Sequence, residues 1–93
     1  MIEIYLLEQL AAFAKHGTLS KAAEELLISQ PALSRSMKKL EDDLGVKLFV
    51  RESKKISLNE TGQLAAALAQ SQVNQNKEMI NRVIAFDRSL HSI

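Results

Sequence analysis

The sequence predicts a small, mainly α-helical domain: three helices, a two-stranded β-hairpin and a long final helix. Two observations carry this. Apolar residues recur at helical spacing through most of the chain. The stretch that departs from that period, residues 46 to 58, is rich in Val, Leu, Phe and Ile and bounded by polar residues, as a hairpin is. The 93 residues suffice for one small domain with a modest core. An apolar fraction of 46% with 25% charged residues argues against disorder.

Residues 4 to 15 read as the first amphipathic helix, with Leu6, Leu10 and Phe13 joined by Leu7, Ala11 and Ala14. His16-Gly17 ends it, Gly17 suiting the left-handed position after a helix. Thr18 or Ser20 caps the next helix. That helix runs to about Leu27, with Ala22, Ala23, Leu26 and Leu27 turned inward. Ile28-Ser29 makes a short turn, and Ser29 is the expected N-cap of the third helix. Pro31 falls in its first turn, where a missing N–H costs little. The helix runs to about Leu44 and Gly45 stops it.

Residues 46 to 51, VKLFVR, read as a strand and residues 56 to 58, ISL, as a shorter second one, with ESKK as a polar, basic tip. Asn59 then caps a last helix, with Glu60 in its favourable first turn. Nothing breaks that helix after Gly62 until about Arg88. The resulting rod of roughly 44 Å is too long to pack fully on the preceding residues. Its apolar positions Leu64, Leu68, Val73, Ile80, Val83, Ile84 and Leu90 need cover, and a polar middle, Gln70 to Asn76, interrupts them.

Net charge is only +1. Its distribution says more: residues 1 to 28 sum to −2 and residues 29 to 58 to +3, a local anion-facing bias. The absence of cysteine excludes disulfides and thiolate metal sites and fits a reducing, cytoplasmic setting. No apolar run approaches the roughly 18 residues of a membrane span, and no signal-peptide pattern opens the chain. His16 and His91 have no ligand partners at metal spacing, so no metal or other cofactor is expected. No P-loop, dinucleotide fingerprint or nucleophile elbow occurs, which argues against an enzyme.

The third helix carries the functional signal. At 100° per residue, Ser34, Arg35 and Lys38 fall within about 60° of Pro31, while Leu33, Met37, Leu40 and Leu44 cluster opposite. No carboxylate appears on this helix before Glu41, and Glu41, Asp42 and Asp43 stand at its far end. A helix, a short turn and a second helix exposed at its N-terminal end is the helix-turn-helix arrangement, whose second helix leads into the DNA major groove. Arg reads guanine bidentately, Gln reads adenine, and Ser hydrogen-bonds to either. Exposed N–H groups at a helix start hold phosphate. The hairpin adds Arg51, Lys54 and Lys55 as a basic wing.

The pieces LSKAAEELLISQPALSRSMKKLEDDLGVKLFVR and ISLNETG resemble the N-terminal DNA-binding domain of LysR-type transcriptional regulators, which are bacterial. The opening EIYLLEQLAAFAKHGTLS resembles that family's first helix, so the likeness covers nearly the whole chain. The combination of SQPALSR, LE..LG..LF.R and L.ETG at these distances is specific. Family members usually have Thr at the position of Asn59, and Ile or Val at that of Met37. The resemblance implies a winged helix-turn-helix over residues 1 to 58, with a recognition helix over about 30 to 44 and a wing over about 46 to 58. Residues 59 to 93 would be a linker helix that pairs antiparallel with a second copy through Leu64, Leu68, Val73, Ile80, Val83 and Ile84. Family members typically continue into a two-lobed effector domain; this chain stops at Ile93, about where that domain would begin, and a piece of a longer regulator is the expectation, a truncated family member the alternative. A small-molecule effector is expected only if a longer parent chain carries such a domain.

The expected function is sequence-specific binding of double-stranded DNA by a homodimer at the cytoplasmic nucleoid. The resemblance aligns Gln30, Pro31, Ser34 and Arg35 with the family's usual base and phosphate contacts. Ser29 and Lys38 share their face. Thr18, Ser20 and Lys21 are expected to hold a phosphate at the second helix start, although for Thr18 and Ser20 capping alone is an equal reading. Lys54 and Lys55 are expected on phosphates at the wing, against an ordinary reading as hairpin-tip charges. Arg51 has two open readings: DNA contact, or an ion pair with an acid such as Glu41 that orders the strand. Lys39 stands about 80° off the contact face and is expected at the surface only, or on a phosphate at best. The alternative to the whole scheme is a protein-interaction module that assembles partners through its last helix, its basic face being incidental.

Overall fold

The computed structural model describes residues 1–92. Four helices and one hairpin follow in the order α1 (Ile4–His16), α2 (Leu19–Leu26), α3 (Gln30–Leu44), β1 (Phe49–Glu52), β2 (Lys55–Leu58) and α4 (Glu60–Leu90). The caps explain most boundaries. Thr18 Oγ1 accepts the N–H of Lys21, so Thr18 and not Ser20 caps α2. Ser29 Oγ accepts from Ala32 and Asn59 Oδ1 from Gly62. Gly17 and Gly45 end α1 and α3 in the left-handed conformation.

The core lies where the first three helices meet the hairpin base and the first half of α4. Leu6, Leu10, Phe13, Leu33, Met37, Leu40 and Leu48 are fully buried in it. The small residues Ala12, Ala22, Ala23, Ala66 and Ala69 belong to the same cluster and let the helices approach closely. Phe13 and Phe49 meet edge to face, with ring centroids 5.3 Å apart. Gly62 is required by contact: a Cβ there would collide with the carbonyl oxygen of Leu48.

The hairpin is shorter at its start than the expected 46 to 51. Glu41 causes this. Its buried Oε2 accepts the N–H groups of Leu48 and Phe49 at 2.8 and 3.3 Å, which occupies the backbone before a ladder can begin. The carboxylate is thereby engaged with backbone. It makes no ion pair with Arg51, so that one of the two readings of Arg51 is not formed with this acid. Strands β1 and β2 pair antiparallel from Phe49–Leu58 to Glu52–Lys55. The two-residue turn places Ser53 at φ 51°, a position such turns usually give to Gly.

Three apolar positions depart from expectation. Leu27 is 91% exposed instead of inward, because the chain turns there through a left-handed conformation (φ 59°) that ends α2 one residue earlier. Ala14 is exposed on the outer side of α1, and Leu44 is 43% exposed where α3 runs past the core.

The molecule is elongated, 62 × 26 × 18 Å. Its radius of gyration is 16.0 Å, against about 12 Å for a compact chain of this length. The cause is α4. Its Ala66, Ala69 and Val73 are buried, whereas every residue from 74 to 90 is exposed, about 25 Å of helix beyond the core. Among the described residues no helix is long and apolar enough to cross a membrane.

Candidate nucleic-acid interface

Three elements present the residues singled out from sequence. At the start of α2, Ser20 and Lys21 are exposed, and Thr18 is exposed with its hydroxyl turned to the cap. On α3, Pro31, Arg35 and Lys38 are exposed and Ser34 is half-buried, on the side away from Leu33, Met37 and Leu40, while Gln30 is exposed at the helix start on the azimuth of Met37. Ser29 is exposed but its oxygen is engaged in capping. On the hairpin, Arg51, Lys54 and Lys55 are exposed. Arg51 stands opposite Ile56, on the face that Phe49 shares by strand alternation.

The cations differ in how they are satisfied. Lys21, Arg35, Arg51, Lys54 and Lys55 make no ion pair among the described residues. Lys38 does: its Nζ lies 2.9 Å from Asp42 Oδ1, both side chains remaining more than half exposed. The hydrogen bond and charge of Asp42 raise the pKa of Lys38 above the ordinary lysine value. Lys39 pairs with Asp43 at 2.9 Å and approaches Glu3 at 3.7 Å, which ties α3 to the N-terminal edge of α1. Sequence reading placed the acids at the far end of α3 without noting that Asp42, one turn beyond Lys38, lies on the same helix face as Pro31.

The outer face of α4 forms a second surface. Leu64, Leu68 and Val83 are exposed on it; Ile80 and Ile84 are exposed too, but at 100° per residue they continue the side on which Ala66, Ala69 and Val73 are buried. Val73 lines a hollow with Ala11 and Ala12 of α1, so it is removed from the pairing set. Met79 and Phe86, 54% and 66% exposed, belong to the face and were missed from sequence. Their spacing was the available signal. Leu64, Gln75 and Phe86 recur every eleven residues, as do Leu68, Met79 and Leu90, and Gln72 with Val83. An eleven-residue period keeps such positions on one nearly straight stripe.

Residues 4–63 match the family described as "Bacterial regulatory helix-turn-helix protein, lysR family". The chain is 38% identical over 90 residues to the HTH-type transcriptional regulator YybE of Bacillus subtilis strain 168, covering 94% of this chain and 31% of that one. Among solved structures, Vibrio fischeri DarR in complex with DNA superposes with a TM-score of 0.86 at 35% identity, over 95% of this chain and 30% of that chain. The CbnR DNA-binding domain in complex with DNA superposes with a TM-score of 0.86 at 31% identity, over 92% of this chain and 99% of that one. The chain thus spans under a third of the curated relative's length. The relatives are named as regulators of transcription, not as enzymes. On the family match and the shared winged-helix fold, this chain belongs to the LysR family of bacterial regulatory helix-turn-helix proteins.

Proposed function

We propose that this chain binds double-stranded DNA sequence-specifically as a homodimer and so regulates transcription in the cytoplasm. The single observation that carries the reading is the N-terminal end of α3, where Gln30, Pro31 and Arg35 are exposed beside the half-buried Ser34 and Arg35 has no carboxylate partner among the described residues. Relatives of the same fold, crystallised with DNA, support it. In this scheme residues 1 to 58 read DNA. Helix α3 enters the major groove, with Arg35 and Gln30 on base edges and Ser29 and Ser34 on bases or phosphate. Thr18, Ser20 and Lys21 hold one backbone segment, and Lys54, Lys55 and Arg51 hold the flank.

Residues 59 to 93 supply the pairing. Two copies of α4 running antiparallel about a two-fold axis near Gln75 would set Leu68 against the partner subunit's Val83 and Leu64 against the partner subunit's Phe86. This removes from water a stripe that one protomer leaves bare. A small-molecule effector enters only through a further domain in a longer parent chain.

The test is Arg35→Ala, titrated against a selected site and against random duplex. A base-reading arginine costs about 1–3 kcal/mol on the selected site and much less on random sequence. Equal loss on both would leave Arg35 gripping phosphate alone. Failure of the unaltered chain to bind any duplex at low salt would favour the protein-interaction reading.

A further inference from the structure

We propose that Asp42 is an internal competitor for Lys38, weakening the hold of α3 on non-cognate DNA and thereby sharpening its discrimination. The inference rests on the DNA-binding reading above. Of the six cations assigned to the interface, Lys38 alone is paired among the described residues, at 2.9 Å. The pair is poorly explained as a stabilising device. Acids in the last turns of a helix oppose its dipole, and a lysine preceding its acid by four residues is the weaker orientation. Among the described residues each finds its only ion-pair partner in the other.

The neighbouring pair shows the contrast. Lys39 and Asp43 have the same spacing, but Lys39 also approaches Glu3 and so links two helices. What Asp42 does is place a negative charge on the contact face and occupy the Lys38 ammonium. A phosphate must displace that carboxylate to claim the lysine. Loosely docked random duplex, with phosphates at no fixed position, competes badly. A cognate site, held in register by base contacts, brings one phosphate to a fixed place and competes well.

The experiment measures affinity for one random-sequence duplex, across a series of salt concentrations, for the unaltered chain, D42N, K38A, the double variant K38A/D42N, and D43N. Asp43→Asn makes the same change in net charge away from this lysine. D42N is expected to bind random duplex roughly twofold to fivefold more tightly per protomer than D43N does, the range open to an exposed ion pair. Its log–log salt slope steepens by about 0.9 per protomer, one more phosphate neutralised. In the K38A background the advantage of D42N over D43N disappears. Equal gains in D42N and D43N, or a gain that survives K38A, would overturn the role of Asp42 and leave only long-range charge. No binding by the unaltered chain at low salt would overturn the DNA reading itself, and this inference with it.

Discussion

The carboxylate of Glu41 accepts the backbone N–H of Leu48 at 2.8 Å from a site only 4% exposed, and so fastens the end of α3 to the root of the hairpin. The main-chain oxygen of Glu41 takes the N–H groups of Gly45 and Val46 as well. One residue therefore positions α3 relative to the hairpin. Glu41→Ala would leave two buried N–H groups without an acceptor and is expected to cost about 2–4 kcal/mol. Glu41→Gln, which keeps a neutral acceptor, should cost less. Urea unfolding measures both; a Glu41→Ala midpoint equal to that of the unaltered chain would mean the contact does not hold the hairpin.

Leu27 combines two liabilities that no contact offsets: a left-handed backbone and a side chain 91% exposed. Leucine in that conformation is strained by roughly 1–2 kcal/mol, of which glycine returns part to the entropy of the unfolded chain. Leu27→Gly is expected to stabilise the domain by up to about 1 kcal/mol at an unchanged denaturant slope. A loss of stability would show that Leu27 packs on something in solution.

Acid sensitivity should localise to the joint between α1 and α2. Glu25 Oε1 lies 3.0 Å from His16 Nε2 and 3.0 Å from Lys15 Nζ. Chiefly through His16 and then Lys15, the Glu25 pKa is held below the ordinary 4.5. A lowered folded-state pKa contributes stability that is present above the unfolded value and lost as pH falls through the folded one. The unaltered chain should therefore lose stability below about pH 4.5 more steeply than Glu25→Gln does. Parallel curves would remove the contribution of Glu25.

The pairing stripe makes a discriminating prediction about α4. Val83→Glu puts a charge into an exposed seam and is expected to give a folded monomer at concentrations where the unaltered chain sediments as a dimer. Val73→Glu puts the charge into the protomer core and is expected to unfold it, because Val73 is buried. A dimeric Val83→Glu would place the interface elsewhere.

The fold was largely legible because local chemistry and global architecture agree at its boundaries. Gly17, Gly45, Pro31, Ser29 and Asn59 each announce a helix end in the sequence and each serves there. Where reading failed, the deciding contact was tertiary. Leu27 and Val73 carry the same apolar label in the sequence, yet the turn after α2 expels one and α1 covers the other. Glu41 offers itself in the sequence as an ion-pair partner for Arg51, and only the path of the chain after Gly45 brings two N–H groups to it instead. The contact residues were suggested by helical phase and family resemblance, whereas the pairing of Lys38 by Asp42 is a side-chain choice that phase alone does not fix.

Selection of bound sequences from a random duplex library, scored by half-site, tests the central claim most directly. Enrichment of a two-fold symmetric site, its half-sites one helical turn or a multiple of it apart, is the expected result for two copies of α3 carried on a paired α4. With about four phosphates neutralised per protomer, binding to that site should show a log–log salt slope of roughly −7. Retention of duplex without enrichment of any sequence, or no retention at low salt, would contradict specific readout by this chain.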